Sequence, residues 1–161
     1  MKKLFKFRYH SPSAQDTLRI GKKIGELAQK GDVILLCGDL GTGKTWLTKG
    51  IAKGLGVPKN YPITSPSFVF VHVYPGCFPL YHIDLYRLEK DVDWSLLGLE
   101  EYIFSEGVTV IEWAEKMPAS LLPPQYLKIY IYFSNEGRDL EFVTNIAYFK
   151  QIGYYLKIEE G

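Results

Sequence analysis

VILLCGDLGTGKT, residues Val33 to Thr45, is the stretch on which the reading of the chain turns. Its first part, Val33 to Cys37, is an unbroken apolar run, as expected of a strand covered on both faces. Its second part, Gly38 to Thr45, fits G-x-x-x-x-G-K-[ST], and a helix is predicted to follow over about Lys44 to Leu55. Strand, glycine-rich turn and helix in this order build a phosphate-binding loop. The glycines let successive backbone N–H groups converge on phosphate oxygens, and the helix N-terminus adds a dipole that favours anions. Lys44 would neutralise β- and γ-phosphate oxygens, and Thr45 would offer its hydroxyl to Mg2+. The expected nucleotide contacts run through Asp39, Leu40, Gly41, Thr42, Gly43, Lys44, Thr45 and Trp46. Within that run the Asp39 carboxylate would repel phosphate, so its side chain is expected to turn away or to bind the loop backbone. The Trp46 ring is expected in the core, as large aromatics beside a sheet usually are, and the place of Trp113 is left open.

On the N-terminal side, Leu4 to Tyr9 reads as a strand. Ser13 and Asp16 then have capping-box spacing ahead of Ile20, Ile24 and Leu27 at helical intervals, and Gly31 is expected to end that helix. On the C-terminal side, Phe68 to Tyr74, Leu80 to Ile83, Val108 to Ile111 and Leu127 to Phe133 are β-branched and aromatic runs bounded by turn residues, so strands are predicted there. Leu96 to Phe104 reads as a helix. Leu127 to Thr144, broken at Ser134 to Gly137, reads as an antiparallel hairpin, while the last dozen residues have no decisive pattern. No repeat, low-complexity tract or linker divides the chain. The expected fold is α/β: one P-loop NTPase-like domain over residues 1–161, with a mainly parallel, helix-covered sheet extended by antiparallel strands.

A phosphate loop of this kind needs a carboxylate at the end of a neighbouring strand to order the magnesium hydration shell, and a polar group to orient the attacking water. Asp84 ends the run Leu80 to Ile83, and Glu112 ends Val108 to Ile111, where the carboxyl ends of buried strands meet the ligand crevice of an α/β sheet. The short Asp suits magnesium and the longer Glu can reach a water near the γ-phosphate. Lys44 and Glu112 are thus the expected catalytic groups, and Thr45, Asp84 and Glu112 the groups around the metal. His10, His72 and His82 are too dispersed for a zinc site, and His82 with Asp84 makes only a weak ligand pair.

Composition narrows the function. The 161 residues are 47% apolar, enough to fill one core, and 19 basic residues stand against 18 acidic ones. Near-neutral charge disfavours stand-alone nucleic-acid binding. The two cysteines, Cys37 and Cys77, are too few for a disulfide-stapled secreted scaffold, so a reducing cytoplasm is expected. Lys6 and Arg8 interrupt the only apolar stretch near the start, which does not read as a signal peptide, and no run is long enough to span a membrane.

Five ordered motifs go beyond a generic phosphate loop: GDLGTGKT at Gly38 to Thr45, TSPSF at Thr64 to Phe68, HIDLYRLE at His82 to Glu89, LGLEEYI at Leu97 to Ile103 and IEW at Ile111 to Trp113. At these separations the set resembles the bacterial TsaE (YjeE) family of small P-loop proteins, from about Ser13 to Arg138. The resemblance implies an ATP-binding, weakly ATP-hydrolysing accessory protein that uses ATP/ADP and Mg2+. Such a protein works with TsaB and TsaD to make threonylcarbamoyladenosine beside the anticodon of tRNAs that read codons beginning with A. TsaD would transfer the threonylcarbamoyl group, and tRNA would be met only indirectly, through the complex. The family roles fall on Lys44 and Thr45 for phosphate and magnesium, on Asp84 for the magnesium side and on Glu112 as catalytic carboxylate. Thr64, Ser65 and Ser67 would form a switch-like loop in which Pro66 keeps Ser65 extended. The family often carries Thr where Ser67 stands and a small or hydroxylic residue where Trp46 stands, and beyond Arg138 no motif matches.

Three rival readings share the loop. A small-molecule kinase brings lid arginines to the transferred phosphoryl group, but Arg8, Arg19, Arg87 and Arg138 are scattered in sequence. A GTPase would need an N-K-x-D segment, which the chain lacks. A non-catalytic scaffold would bind nucleotide without turning it over.

Overall fold

The apolar run Val33–Cys37 forms β2, and all five of its residues are buried. In the structure, a computed structural model that describes residues 3–66 and 70–160, this strand lies at the middle of a seven-stranded sheet. Around it are β1 (Phe5–Ser11), β3 (Val71–Tyr74), β4 (Leu80–Asp84), β5 (Val108–Glu112), β6 (Leu127–Ser134) and β7 (Gly137–Thr144), in spatial order β1-β7-β6-β2-β5-β4-β3. β2 pairs in parallel with β5 and β6, and β4 pairs in parallel with β5. The centre is therefore parallel, and antiparallel pairs extend it on both sides, β6 with β7 and β7 with β1 at one edge, β3 with β4 at the other.

Among the described residues four α-helices accompany the sheet: α1 (Ala14–Leu27), α2 (Lys44–Gly54), α3 (Glu100–Ile103) and α4 (Lys150–Glu160). Ser13 caps α1 by accepting the Asp16 N–H at 3.1 Å, as its spacing requires. The helix stops at Leu27, ahead of Gly31, which takes a positive φ in the turn that follows. Ile34 and Leu36 of β2 face one side, where Ile20 and Ile24 of α1, Leu47 and Ile51 of α2, and Ile152 and Leu156 of α4 close over them. Val33, Leu35 and Cys37 face the other side and meet Leu85, Leu99, Ile103, Ala114 and Met117. Burial on both faces is what an unbroken apolar strand demands.

Several expectations change. The second face is covered by short turns and the single-turn α3 rather than by long helices, because the predicted helix Leu96 to Phe104 is broken: a 3₁₀ turn covers Trp94–Leu96, and Gly98 at φ 67° separates it from α3. β3 joins β4 through residues 75–79 only, too few for a parallel crossover, and the pair is antiparallel. Phe68, where the sequence reading begins that strand, lies outside the described residues. The tail without a pattern forms α4, which buries Ile152 and Leu156 against the antiparallel half of the sheet.

α1 and α2 meet without intervening side chains. A Cβ built on Gly25 would lie 2.2 Å from the Ile51 carbonyl oxygen, and one built on Gly54 would lie 2.1 Å from that of Lys22. Gly21 and Gly50, one turn earlier on each helix, face each other in the same way. The two helices nest backbone to backbone, and this fixes α2, and with it the loop that precedes it, against the domain.

Candidate functional site

The loop between β2 and α2 closes on itself. Gly43 enters the helix at φ 110°, a left-handed conformation in which a side chain would be strained, and the space beside it is open. Thr42 is buried, and both its N–H and its hydroxyl donate to the Asp39 carbonyl, at 3.2 and 2.8 Å. The hydroxyl and the N–H of Thr42 thus close the loop on itself. Lys44 Nζ donates to the carbonyls of Gly38 at 2.6 Å and Asp39 at 2.9 Å, and lies 4.1 Å from the centre of the Trp113 ring. Burial pushes the Lys44 ammonium below its ordinary pKa, against the opposing pull of Glu115, Glu112, Asp84 and Asp39. The loop is also tied from outside. Glu115 accepts the Gly38 N–H at 3.0 Å, while Arg138 on β7 donates to the Thr42 carbonyl at 2.9 Å and to that of Gly41 at 3.3 Å.

Asp84 and Glu112 end adjacent parallel strands and stand opposite each other in register. Leu80, Val108 and Val110 lie on the α2 side of the sheet, so two-residue alternation puts His82, Asp84 and Glu112 on that side too. Glu112 is only 2% exposed. Its Oε1 accepts the Thr45 hydroxyl at 3.2 Å, and its Oε2 accepts the Thr48 hydroxyl at 3.1 Å and meets Nε2 of His82. Asp84 is half-buried, and its Oδ1 accepts the Tyr86 N–H at 2.9 Å.

Burial raises the Asp84 carboxyl above the usual carboxylate range; the Tyr86 N–H opposes the rise and the charge of Glu112 adds to it. Ionised Asp84 therefore costs the fold stability. That cost is absent below the ordinary value of about 4 and grows as pH rises through the folded value. Asp84→Asn is expected to raise the melting temperature modestly at neutral pH and to leave it unchanged at about pH 3. Thermal unfolding at the two pH values checks this, and a variant less stable than wild type at neutral pH contradicts it.

These groups converge. Lys44, Thr45, Ser65, Asp84, Glu112 and Trp113 line one cleft of about 350 Å³ at the carboxyl ends of β2, β4 and β5. A second cleft of about 260 Å³ lies across the loop, between Ser13 and Thr17 on one side and Gly137 and Arg138 on the other. Trp46 lines both clefts, 43% exposed and stacked by Lys49, so its ring is not in the core as expected. It follows Thr45 on the first turn of α2 and faces outward. Trp113 takes a left-handed φ of 59°, rare for a bulky residue, and packs its ring between Lys44 and Tyr86. The Asp39 side chain is exposed, and Leu40, 65% exposed, stands at the lip of the first cleft.

Of the switch-like residues, Ser65 reaches the site, its hydroxyl 3.0 Å from that of Thr45. Thr64 is held back by His72, whose Nδ1 lies 3.1 Å from its carbonyl, and does not line the cleft. Ser67 lies outside the described residues. Thr48, His82, Glu115 and Arg138 were not among the expected site residues. Helical spacing from Thr45 and strand alternation from Asp84 could have found the first two; Glu115 and Arg138 bind loop backbone and leave no local signal.

The model of the family "Threonylcarbamoyl adenosine biosynthesis protein TsaE" matches residues 11–140. The chain is 45% identical over 116 residues to the tRNA threonylcarbamoyladenosine biosynthesis protein TsaE of Treponema pallidum, covering 72% of this chain and 83% of that protein. It is 42% identical over 125 residues to the TsaE of Bacillus subtilis, covering 77% and 76%, and 33% identical over 144 residues to that of Haemophilus influenzae, covering 84% and 89%. The crystal structure of YdiB from Bacillus subtilis superposes with a TM-score of 0.71 at 34% identity, over 100% of this chain and 99% of that one. Among the described residues no helix is long and apolar enough to cross a membrane. Loop, strand-end acids and matched motifs agree: the chain belongs to the TsaE family, which is named for tRNA threonylcarbamoyladenosine biosynthesis.

Proposed function

We propose that the chain binds ATP with Mg2+ and hydrolyses it slowly to ADP and phosphate. In partnership with TsaB and TsaD, it would thereby support formation of threonylcarbamoyladenosine beside the anticodon of tRNA in the cytoplasm. The observation that carries the reading is the convergence of Lys44, Thr45, Ser65, Asp84, Glu112 and Trp113 on one cleft at the mouth of a glycine-rich loop.

The residues fit a magnesium nucleotide. Thr45, Asp84 and Glu112 offer hard oxygen donors, the type Mg2+ prefers, and the ion would neutralise charge on the phosphate oxygens. Among the described residues no group of three His, Cys, Asp or Glu could hold a metal alone. Nucleotide and water would complete the shell. Lys44 binds phosphate oxygens in place of the two loop carbonyls it now meets, and the backbone from Asp39 to Trp46 supplies N–H donors. The second cleft, across the loop from the acids, takes the nucleoside beside Trp46 and Arg138. Glu112 is held by its three donors and aims its carboxylate at the site of hydrolysis. Ser65 would report on the nucleotide: its hydroxyl contacts that of Thr45, the group that would serve the metal, so the loop carrying it would sense occupancy of the site. A net charge of +1 supports leaving tRNA to the partners.

The test is steady-state ATP hydrolysis by the purified chain, alone and with TsaB and TsaD, with Lys44→Ala as control. Turnover stimulated by the partners and absent in Lys44→Ala is expected. Tight binding without turnover under either condition would identify the nucleotide as a structural ligand, and transfer of phosphate to an added acceptor would identify a kinase.

A further inference from the structure

We propose that His82 is the positioning residue for Glu112, holding Oε2 through Nε2–H so that Oε1 stays turned toward Thr45. The proposal deepens the ATPase reading and rests on it for its kinetic consequence.

His82 is fully buried on β4, beside β5, and its Nε2 meets Glu112 Oε2. A carboxylate only accepts, so Nε2 carries the proton and the ring is the Nε2–H tautomer. Nδ1 is then a bare acceptor, and it has no partner among the described residues. Leaving a buried ring nitrogen unpaired is costly. The imidazole is therefore not explained as a well-satisfied core residue; what it gains is the bond to Glu112.

Counting protons separates His82 from the other donors. The single hydroxyl proton of Thr48 has two acceptors, the Lys44 carbonyl at 3.0 Å and Glu112 at 3.1 Å. The Thr45 hydroxyl is the group expected to leave Glu112 for the metal. His82 has one acceptor for its proton and keeps it whichever way the two threonines turn. Because His82 and Asp84 share β4, the same bond also fixes the Glu112 carboxylate relative to the second acid, across neighbouring strands. Orienting partners of this kind typically change activity by about 10- to 100-fold when lost.

Two variants separate positioning from mere packing. A Gln amide nitrogen reaches the place of Nε2, whereas an Asn amide reaches only that of Nδ1. In the full chain, His82→Gln is expected to keep kcat for ATP hydrolysis within about threefold of wild type, and His82→Asn to lose about tenfold or more. Both should keep ATP affinity measured without Mg2+. A second readout needs no nucleotide: ring-nitrogen NMR should show Nε2 protonated and Nδ1 bare in the free protein. The opposite tautomer would overturn the proposal. So would equal kcat in the two variants, or losses that follow melting temperature and metal-free affinity together. A wild-type chain with no ATP turnover overturns the ATPase reading instead, and the tautomer then decides whether His82 holds Glu112.

Discussion

Gly25→Ala is expected to lower the melting temperature by roughly 10 °C. The added methyl would sit 2.2 Å from the Ile51 carbonyl oxygen and 2.9 Å from the Gly54 Cα, and both are backbone atoms that cannot rotate away. α1 and α2 would have to separate, opening the layer in which Ile20, Ile24, Leu47 and Ile51 are all fully buried. Overpacking of this rigidity costs about 3 kcal/mol or more, and a domain of this size loses about 2–4 °C per kcal/mol. Gly153→Ala in α4 is the matched control. Its Cβ would meet the Phe7 ring at 3.4 Å, and helix propensity should make it neutral or stabilising by up to about 1 kcal/mol. Thermal unfolding of the two variants decides the matter: equal stability would mean that the helices do not nest as described.

Glu112→Gln is expected to reduce ATP hydrolysis by about 100-fold or more, the scale on which positioned charge acts in such sites. Gln keeps the shape of Glu112 and an acceptor for His82 and Thr48, so the fold and metal-free ATP binding should persist. Glu112→Ala should behave differently. It strips His82 of the one partner its ring has among the described residues and removes an acceptor from Thr45 and Thr48, with His82 and Thr48 both fully buried. Stranded buried donors cost about 1–3 kcal/mol each, so a clear loss of melting temperature should accompany the loss of turnover. Hydrolysis and unfolding measured on both variants separate the chemical from the structural role. A Gln variant that hydrolyses ATP at the wild-type rate would remove Glu112 from the chemistry.

The central part of this fold is written in local pattern. Val33 to Cys37 has no polar residue to place outward, and both faces of β2 are indeed covered. Strand ends at Asp84 and Glu112 follow from where apolar runs stop, and parallel pairing makes them neighbours. The turn at Ser134 to Gly137 marks the hairpin of β6 and β7. What escaped depends on contacts distant in sequence. α4 is amphipathic only with respect to the sheet it covers, and the second face is closed by irregular chain whose apolar residues have no period. At the site, Trp46 follows the loop so closely that the first turn of α2 leaves it outside. His82 with Asp84, two residues away, reads only as a weak ligand pair, and the bond of His82 crosses instead to Glu112 on the next strand. Arg138 seemed isolated because its partners are carbonyls of the loop, more than ninety residues earlier.

The bonds from Arg138 give the sheet a mechanical property. The turn between β6 and β7 lies at the far end of two strands of eight residues each, and its stem exposes Tyr132 and Phe133. A guanidinium stacked on Phe133 grips two consecutive carbonyls of the phosphate loop. Through these contacts a single side chain ties the turn to Gly41 and Thr42. β1 and β2 hold the two strands on either side, so the turn, the guanidinium and the phosphate loop form one braced unit at the mouth of the site.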